Sequence, residues 1–160
     1  MIQRRQTIFM FLTAIVSSLL FFVALISLSN DETTMRFTIF GMNNPIESEI
    51  PIPSTWPLVV MAVLLTALPV FTALIYKKRE LQVKLCYTDM ILNIVFLVLE
   101  FYYYSTVASI ASFLEIIWGN PLDVNIYGMS IPVINIILLI FAVRGVKKDI
   151  ELLKSVDRLR

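Results

Sequence analysis

The sequence predicts an all-α membrane protein. It should be a four-transmembrane-helix bundle with both termini cytoplasmic, a small β cap from its two outer loops and a cytoplasmic amphipathic C-terminal helix. Three observations predict this. The 160-residue chain is 58% hydrophobic and only 16% charged, where soluble domains average about 45–50% and about 25%. Four apolar runs approach the roughly 20 helical residues that cross a bilayer core. Every Lys and Arg except Arg36 lies at the N-terminus, between the second and third runs, or after the fourth begins to end.

The first run, Thr7–Leu28, carries no charge and follows Arg4 and Arg5. It is longer than the roughly 7–15 residues of a signal-peptide core, and "ISLSND" is a poor cleavage site, so it reads as an uncleaved span over 7–28. In the loop that follows, "TTMRFTIFG" alternates and is rich in β-branched and aromatic residues, which predicts a strand over Thr34–Phe40. Gly41, "NNP" and "PIPST" supply turns. The second span covers 57–76, with Ser54 or Thr55 as cap and Pro57 in the first turn, where a missing N–H costs little. After the basic "KKRELQVK" comes a third span over 85–105 or longer. "GNP" turns the chain into a short strand, Val124–Tyr127, and Ser130 with Pro132 opens the fourth span, 130–146. Gly145 allows a bend into a tail helix over 147–160.

Charge sets the orientation. Arg4, Arg5, Lys77, Lys78, Arg79, Lys84 and the six basic residues from Arg144 onward mark one face as cytoplasmic. Asp31, Glu32, Glu47, Glu49 and Asp123 lie on the other, and Trp56 and Trp118 suit the outer interface. Two readings of the outer loops stand side by side. Their strands pair across the top of the helices, or the loops are separate and irregular.

The third span contains "DMILNIVFLVLEFYYY", with Asp89, Asn93 and Glu100 inside otherwise lipid-soluble helix. At about 100° per residue, Asn93 lies about 40° and Glu100 about 20° from Asp89, so the three form one stripe. A charge facing lipid at mid-bilayer costs about 2.5–3.5 kcal/mol, which turns the stripe toward other helices. Measured from Lys84 along a helix, Asp89 lies roughly 8 Å and Glu100 roughly 24 Å into the membrane. Helix four runs the opposite way, so the expected pairs are Glu100 with Asn135 or a tyrosine hydroxyl, and Asp89 with Arg144. The Asp89, Asn93, Glu100 and Asn135 stripe reads either as interhelical polar glue or as a proton or cation path.

Other chemistry has no foothold in the sequence. There is no histidine and one cysteine, Cys86, so neither an internal disulfide nor a Cys/His metal or catalytic site is expected. No phosphate-binding, dinucleotide, zinc-protease or serine-hydrolase motif occurs. The acids of the first outer loop match no calcium-loop spacing and read as a solvated surface. No cofactor, metal, catalytic residue or nucleic-acid partner is expected. The tail "VRGVKKDIELLKSVDRLR" places Val146, Ile150, Leu153 and Val156 at helical spacing among charges. It reads as an amphipathic helix on the inner leaflet or docked to a partner, with Ile150, Leu153, Asp157 and Arg158 as the docking residues.

The opening "MIQRRQTIFMFLTAIVSSLLFF", the four-span layout and the closing "VRGVKKDIELLKSVDRLR" resemble the small Bacteroidota membrane family catalogued as domain of unknown function 4293. The sharp matches are Met1–Arg4, Arg144, Lys148–Asp149 and Asp157–Arg160. The resemblance implies a bacterial inner membrane and brings no activity or catalytic residue. The expected role is a non-catalytic accessory or scaffold subunit of a membrane assembly, with lipid and a protein partner in the membrane or at its cytoplasmic face. The alternative is a small transporter or proton-coupled component that uses the stripe.

Overall fold

The computed structural model describes residues 5–29, 34–43, 54–75, 78–118 and 123–158. In chain order, helix α1 (Arg5–Ser18) tightens into a 3-10 turn (Leu19–Phe21) and is followed by strands β1 (Ile26–Ser29), β2 (Thr34–Thr38) and β3 (Gly41–Asn43). Helices α2 (Trp56–Leu74) and α3 (Arg79–Trp118), strand β4 (Asp123–Ile126) and helix α4 (Ser130–Arg158) complete the order. Three helical segments, Trp56–Leu74, Arg79–Ile110 and Ser130–Leu152, are long and apolar enough to cross a membrane, and Thr7–Phe21 is a shorter apolar helix.

The helices pack in a circuit, α1 against α2 and α4, and α3 against the same two. Their buried positions explain why. On α3 these are Gln82, Cys86, Asp89, Asn93, Phe96, Glu100, Tyr103 and Val107, stepping alternately by four and three residues. Leu58, Ala62, Leu65, Pro69 and Thr72 repeat the pattern on α2. A repeat averaging 3.5 residues keeps one face toward its neighbours over many turns when helices cross at a small left-handed angle.

The first apolar run departs from the expected uninterrupted span over 7–28. It leaves helix after Phe21, and Ile26–Ser29 becomes a central strand. The sheet order is β3-β2-β1-β4, antiparallel throughout. The two strands expected from the outer loops therefore lie in one sheet but do not pair with each other, because β1 sits between them. Ile26 and Leu28 are buried with Met35 and Phe37 of β2, while Arg36 points outward. Hydrogen bonding on both edges stabilises β1 as strand: Leu25 N–H donates to Phe37 O (2.8 Å), and Leu25 O accepts from Tyr127 and Gly128 (3.2 and 3.1 Å).

Two further boundaries bear on the expectations of a third span over 85–105 or longer and of a bend allowed at Gly145. α3 continues well past Ser105, reaching 40 residues, about 60 Å at 1.5 Å per residue. α4 runs through Gly145 without a break, so the tail expected to bend away is one helix with the fourth span. One glycine costs a helix about 1 kcal/mol. Val143 and Val146 are buried on either side of it, and Ile150 packs on the same apolar cluster, which offsets that cost.

The core has two apolar ends. At the sheet end, the strands share a cluster with Leu20, Leu58, Leu65, Phe96, Tyr103, Val107 and Ile131. At the other end, Met10, Ala73, Cys86, Leu139, Ala142, Val143 and Val146 form a second cluster. Between them the helices bury polar side chains.

Candidate functional site

The polar layer is assembled from three helices at one level. Asn135 of α4 donates from Nδ2 to Ser17 Oγ of α1 (2.9 Å) and to Asn93 Oδ1 of α3 (3.3 Å). Asn93 donates from its own Nδ2 to Asp89 O (2.9 Å) and Asp89 Oδ1 (3.3 Å). Ser17, Asn93 and Asn135 are 0% exposed and Asp89 is 1% exposed. The heptad spacing places each of them: Ser17 lies seven residues after Met10 and three before Leu20, both core, while Asn135 lies three residues after the buried Pro132 and four before Leu139. Asp89 Oδ2 and Asn135 Oδ1 have no hydrogen-bond partner among the described residues.

Glu100 lies elsewhere. It is 3% exposed, two helical turns from Asn93, with the fully buried Phe96 between them. Neither carboxylate oxygen has a hydrogen-bond partner among the described residues. It borders a cavity of about 10 Å³ with Leu25, Ile26, Phe37, Tyr103 and Met129. A Cβ on Gly128 would come within 2.9 Å of Glu100 Oε1, and within 2.6 and 2.8 Å of Leu25 Cδ2 and Cα. Gly128 is therefore the residue that lets the β4–α4 turn close over this carboxylate.

Both expected pairs are corrected by helix level. Gly128 faces Glu100 and Asn135 bonds Asn93, each pair separated from the other by seven residues along antiparallel chains. On that register Asn135 lies two turns too deep to meet Glu100. Arg144 comes level with Lys84 rather than with Asp89, and it is exposed. Estimating depth from Lys84 alone could not reveal where α4 begins relative to the sheet. Tyr103, the nearest tyrosine on the same face, donates its hydroxyl to Ser54 O instead.

Ser17 and Gln82 are additional buried polar residues. Gln82 is 0% exposed and donates Nε2 to Thr72 O (3.2 Å) and Met10 Sδ (3.3 Å). It stands one heptad before Asp89, so extending the stripe backward would have found it; the surrounding basic residues suggested a loop instead. Ser17 has no such signal, since its run is apolar and rotationally featureless.

In the tail, Ile150 packs against the protein's own second cluster, and Arg79 Nη1 donates to Asp149 O (3.1 Å), tying the start of α3 to α4. The side chains of Leu153, Asp157 and Arg158 lie outside the described residues. Among the described residues no group of three His, Cys, Asp or Glu side chains could hold a metal ion.

The model of the family described as Domain of unknown function (DUF4293) matches residues 2–159. The chain belongs to the DUF4293 family. Comparisons with curated proteins and with solved structures returned no match. Membership of DUF4293 carries no reaction with it.

Proposed function

We propose that this DUF4293 chain is a four-span integral membrane protein of the bacterial inner membrane with both termini cytoplasmic. In this reading it is a non-catalytic accessory or scaffold subunit of a membrane assembly. Several lengths support the four spans. α1 with its 3-10 turn reaches about 27 Å, and α2 about 28 Å, close to a hydrocarbon core of about 30 Å. Apolar side chains such as Ile15, Val63, Ile91, Val98 and Ile137 are exposed on the outside of the helices. Phe22, Phe40, Trp56, Tyr102 and Tyr127 are exposed toward the sheet end, as in the aromatic belt at a membrane interface. Lys78, Lys84, Arg144, Lys147 and Lys148 are exposed toward the other end, in keeping with a cytoplasmic side.

The observation that carries the scaffold reading is the hydrogen-bonded layer Ser17–Asn135–Asn93–Asp89. It joins three helices, and Phe96 closes it off from Glu100. Such bonds fix register between helices; a conduction path needs polar groups in sequence across the membrane. One observation favours the transporter alternative: the unpartnered oxygens of Asp89 and Glu100, since intramembrane carboxylates often serve ion or proton pathways.

Two experiments test the orientation and separate the two readings in turn. Cysteines introduced at Glu47 and Asp123 should react with an impermeant reagent in intact spheroplasts, and one at Lys78 should not; the reverse pattern removes the orientation. Purification in mild detergent should return a partner at fixed stoichiometry, lost when Glu151–Arg160 is deleted. A chain that purifies alone and moves protons or cations in liposomes would establish the transporter instead.

A further inference from the structure

The turn from α2 into α3 gathers basic side chains into one cleft. Lys78, Arg79, Glu80, Leu81 and Lys84 line a space of about 390 Å³ at the start of α3. Pockets that admit small molecules run about 300–1,000 Å³, so a phosphate headgroup fits. Lys78, Arg79 and Lys84 are cations against the single acid Glu80. Glu80 stands one turn before Lys84 and offsets one of the charges, which leaves a positive surplus. Lys78 and Lys84 are exposed, and Arg79 is half-buried. Arg79 Nη1 donates to Asp149 O of α4 (3.1 Å). That bond anchors the guanidinium, whose fork carries further N–H donors suited to phosphate oxygens.

An apolar stripe continues the cleft along the same helix. Ile91, Val95 and Val98 follow Lys84 on one side of α3, within about 40° of it at about 100° per residue. All three are exposed. They lie about 10–21 Å along the axis from Lys84, against about 15 Å for half of a hydrocarbon core. Leu81 brings an exposed apolar side chain into the cleft itself. Free phosphate would gain nothing from Leu81 or from the stripe. A phospholipid matches both, with its phosphate on the cations and an acyl chain along the apolar side chains. A zwitterionic headgroup brings an ammonium that the surplus positive charge repels, whereas an anionic headgroup neutralises that surplus.

We propose that Lys78, Arg79 and Lys84 form the headgroup site for one anionic phospholipid, with Leu81, Ile91, Val95 and Val98 taking its acyl chain. Basic pockets on the cytoplasmic side of membrane proteins recognise such headgroups. Because Arg79 also bonds Asp149 O, the headgroup is seated where α3 and α4 are tied together. The site rests on the membrane-spanning reading above, and the orientation proposed there makes the lipid one of the inner leaflet.

The test uses the full chain reconstituted in phosphatidylcholine vesicles, with spin-labelled phosphatidylglycerol as the probe. The immobilised part of its spectrum should saturate at one selective lipid per chain. Unlabelled phosphatidylglycerol should displace it, and inorganic phosphate at the same concentration should not. A basic residue beside an anionic headgroup strengthens association by about fivefold, so Lys78→Gln with Lys84→Gln should weaken probe binding by about thirtyfold. Arg144→Gln with Lys147→Gln removes as much charge from exposed positions outside the cleft lining, and should leave most of the selectivity in place. Both double variants should unfold close to the parent's midpoint in detergent. If the first does not fold, Lys84→Gln alone should still show about a fivefold loss. Equal immobilisation of spin-labelled phosphatidylcholine, equal losses in the two double variants, or displacement by inorganic phosphate would each overturn the proposal. The spheroplast labelling is read separately: a reversed pattern beside selective lipid binding would sink the orientation and not the site.

Discussion

Asp89 and Glu100 stand on the same face of the same helix, eleven residues apart in the numbering, and are buried to nearly the same degree. Their surroundings differ completely. Asp89 is bound into a layer shared by three helices, with Asn93 donating to it. Glu100 lies within the apolar sheet-end cluster, with Leu25, Ile26, Phe37 and Met129 around its small cavity and Gly128 against it. Position on a helical stripe thus says that a polar side chain faces inward. It does not say whether anything meets it there.

The sharpest way to disturb the Glu100 side is through its lid. Gly128→Ala should cost about 2–3 kcal/mol, because the added Cβ meets the Leu25 backbone as well as flexible atoms. On the Asp89 side, Asn93→Leu should cost about 2 kcal/mol by leaving Asp89 and Asn135 each short of a partner. Glu100→Leu should go the other way, stabilising by about 1 kcal/mol, since an apolar side chain suits an apolar enclosure better than an unpaired polar one. Glu100→Gln should rank below Glu100→Leu, the opposite of what a hydrogen-bonded Glu100 would give. The smallest effect belongs to the exposed surface. Lys147 donates to Tyr87 OH (3.0 Å) and lies 5.4 Å from the ring centroid, and Lys147→Ala should cost about 0.5 kcal/mol. Reversible thermal unfolding in detergent measures all of these. A destabilising Glu100→Leu would show that the two regions are alike after all.

Much of this layout was legible in the sequence, for physical reasons. Pro57 and the uncharged run behind it place α2 to within two residues at either end. Alternation in "TTMRFT" marks β2, because a half-buried strand exposes every second side chain. The inward face of α3 follows from Asp89, Asn93 and Glu100, since lipid rejects all three. The fate of "ALISLS" was not legible, because its pattern was masked: Ile26, Ser27, Leu28 and Ser29 do alternate, with Ile26 and Leu28 buried, but four residues at the end of a long uncharged run are too few to separate a strand from a helix, and one of the two pairing partners, β4, lies 94–100 residues away. Nor was the continuity of α4, where Gly145 suggests a bend but packing by Val146 and Ile150 outweighs it. The Asn135 pairing turned on where α4 starts relative to the sheet, which depends on β4 and Gly128 rather than on the helix's own composition.

In the proposed reading the stripe acts as interhelical glue through Asn93 and Asn135, while Glu100 has no part in it. A pair of double-mutant cycles in detergent tests this most directly, one with Asn93→Leu and Asn135→Leu, the other with Glu100→Leu and Asn135→Leu. The first cycle should give a coupling energy of about 0.6–2 kcal/mol, and the second a value indistinguishable from zero. Coupling between Glu100 and Asn135, with none between Asn93 and Asn135, would contradict the register described here and restore the pairing that depth alone suggests.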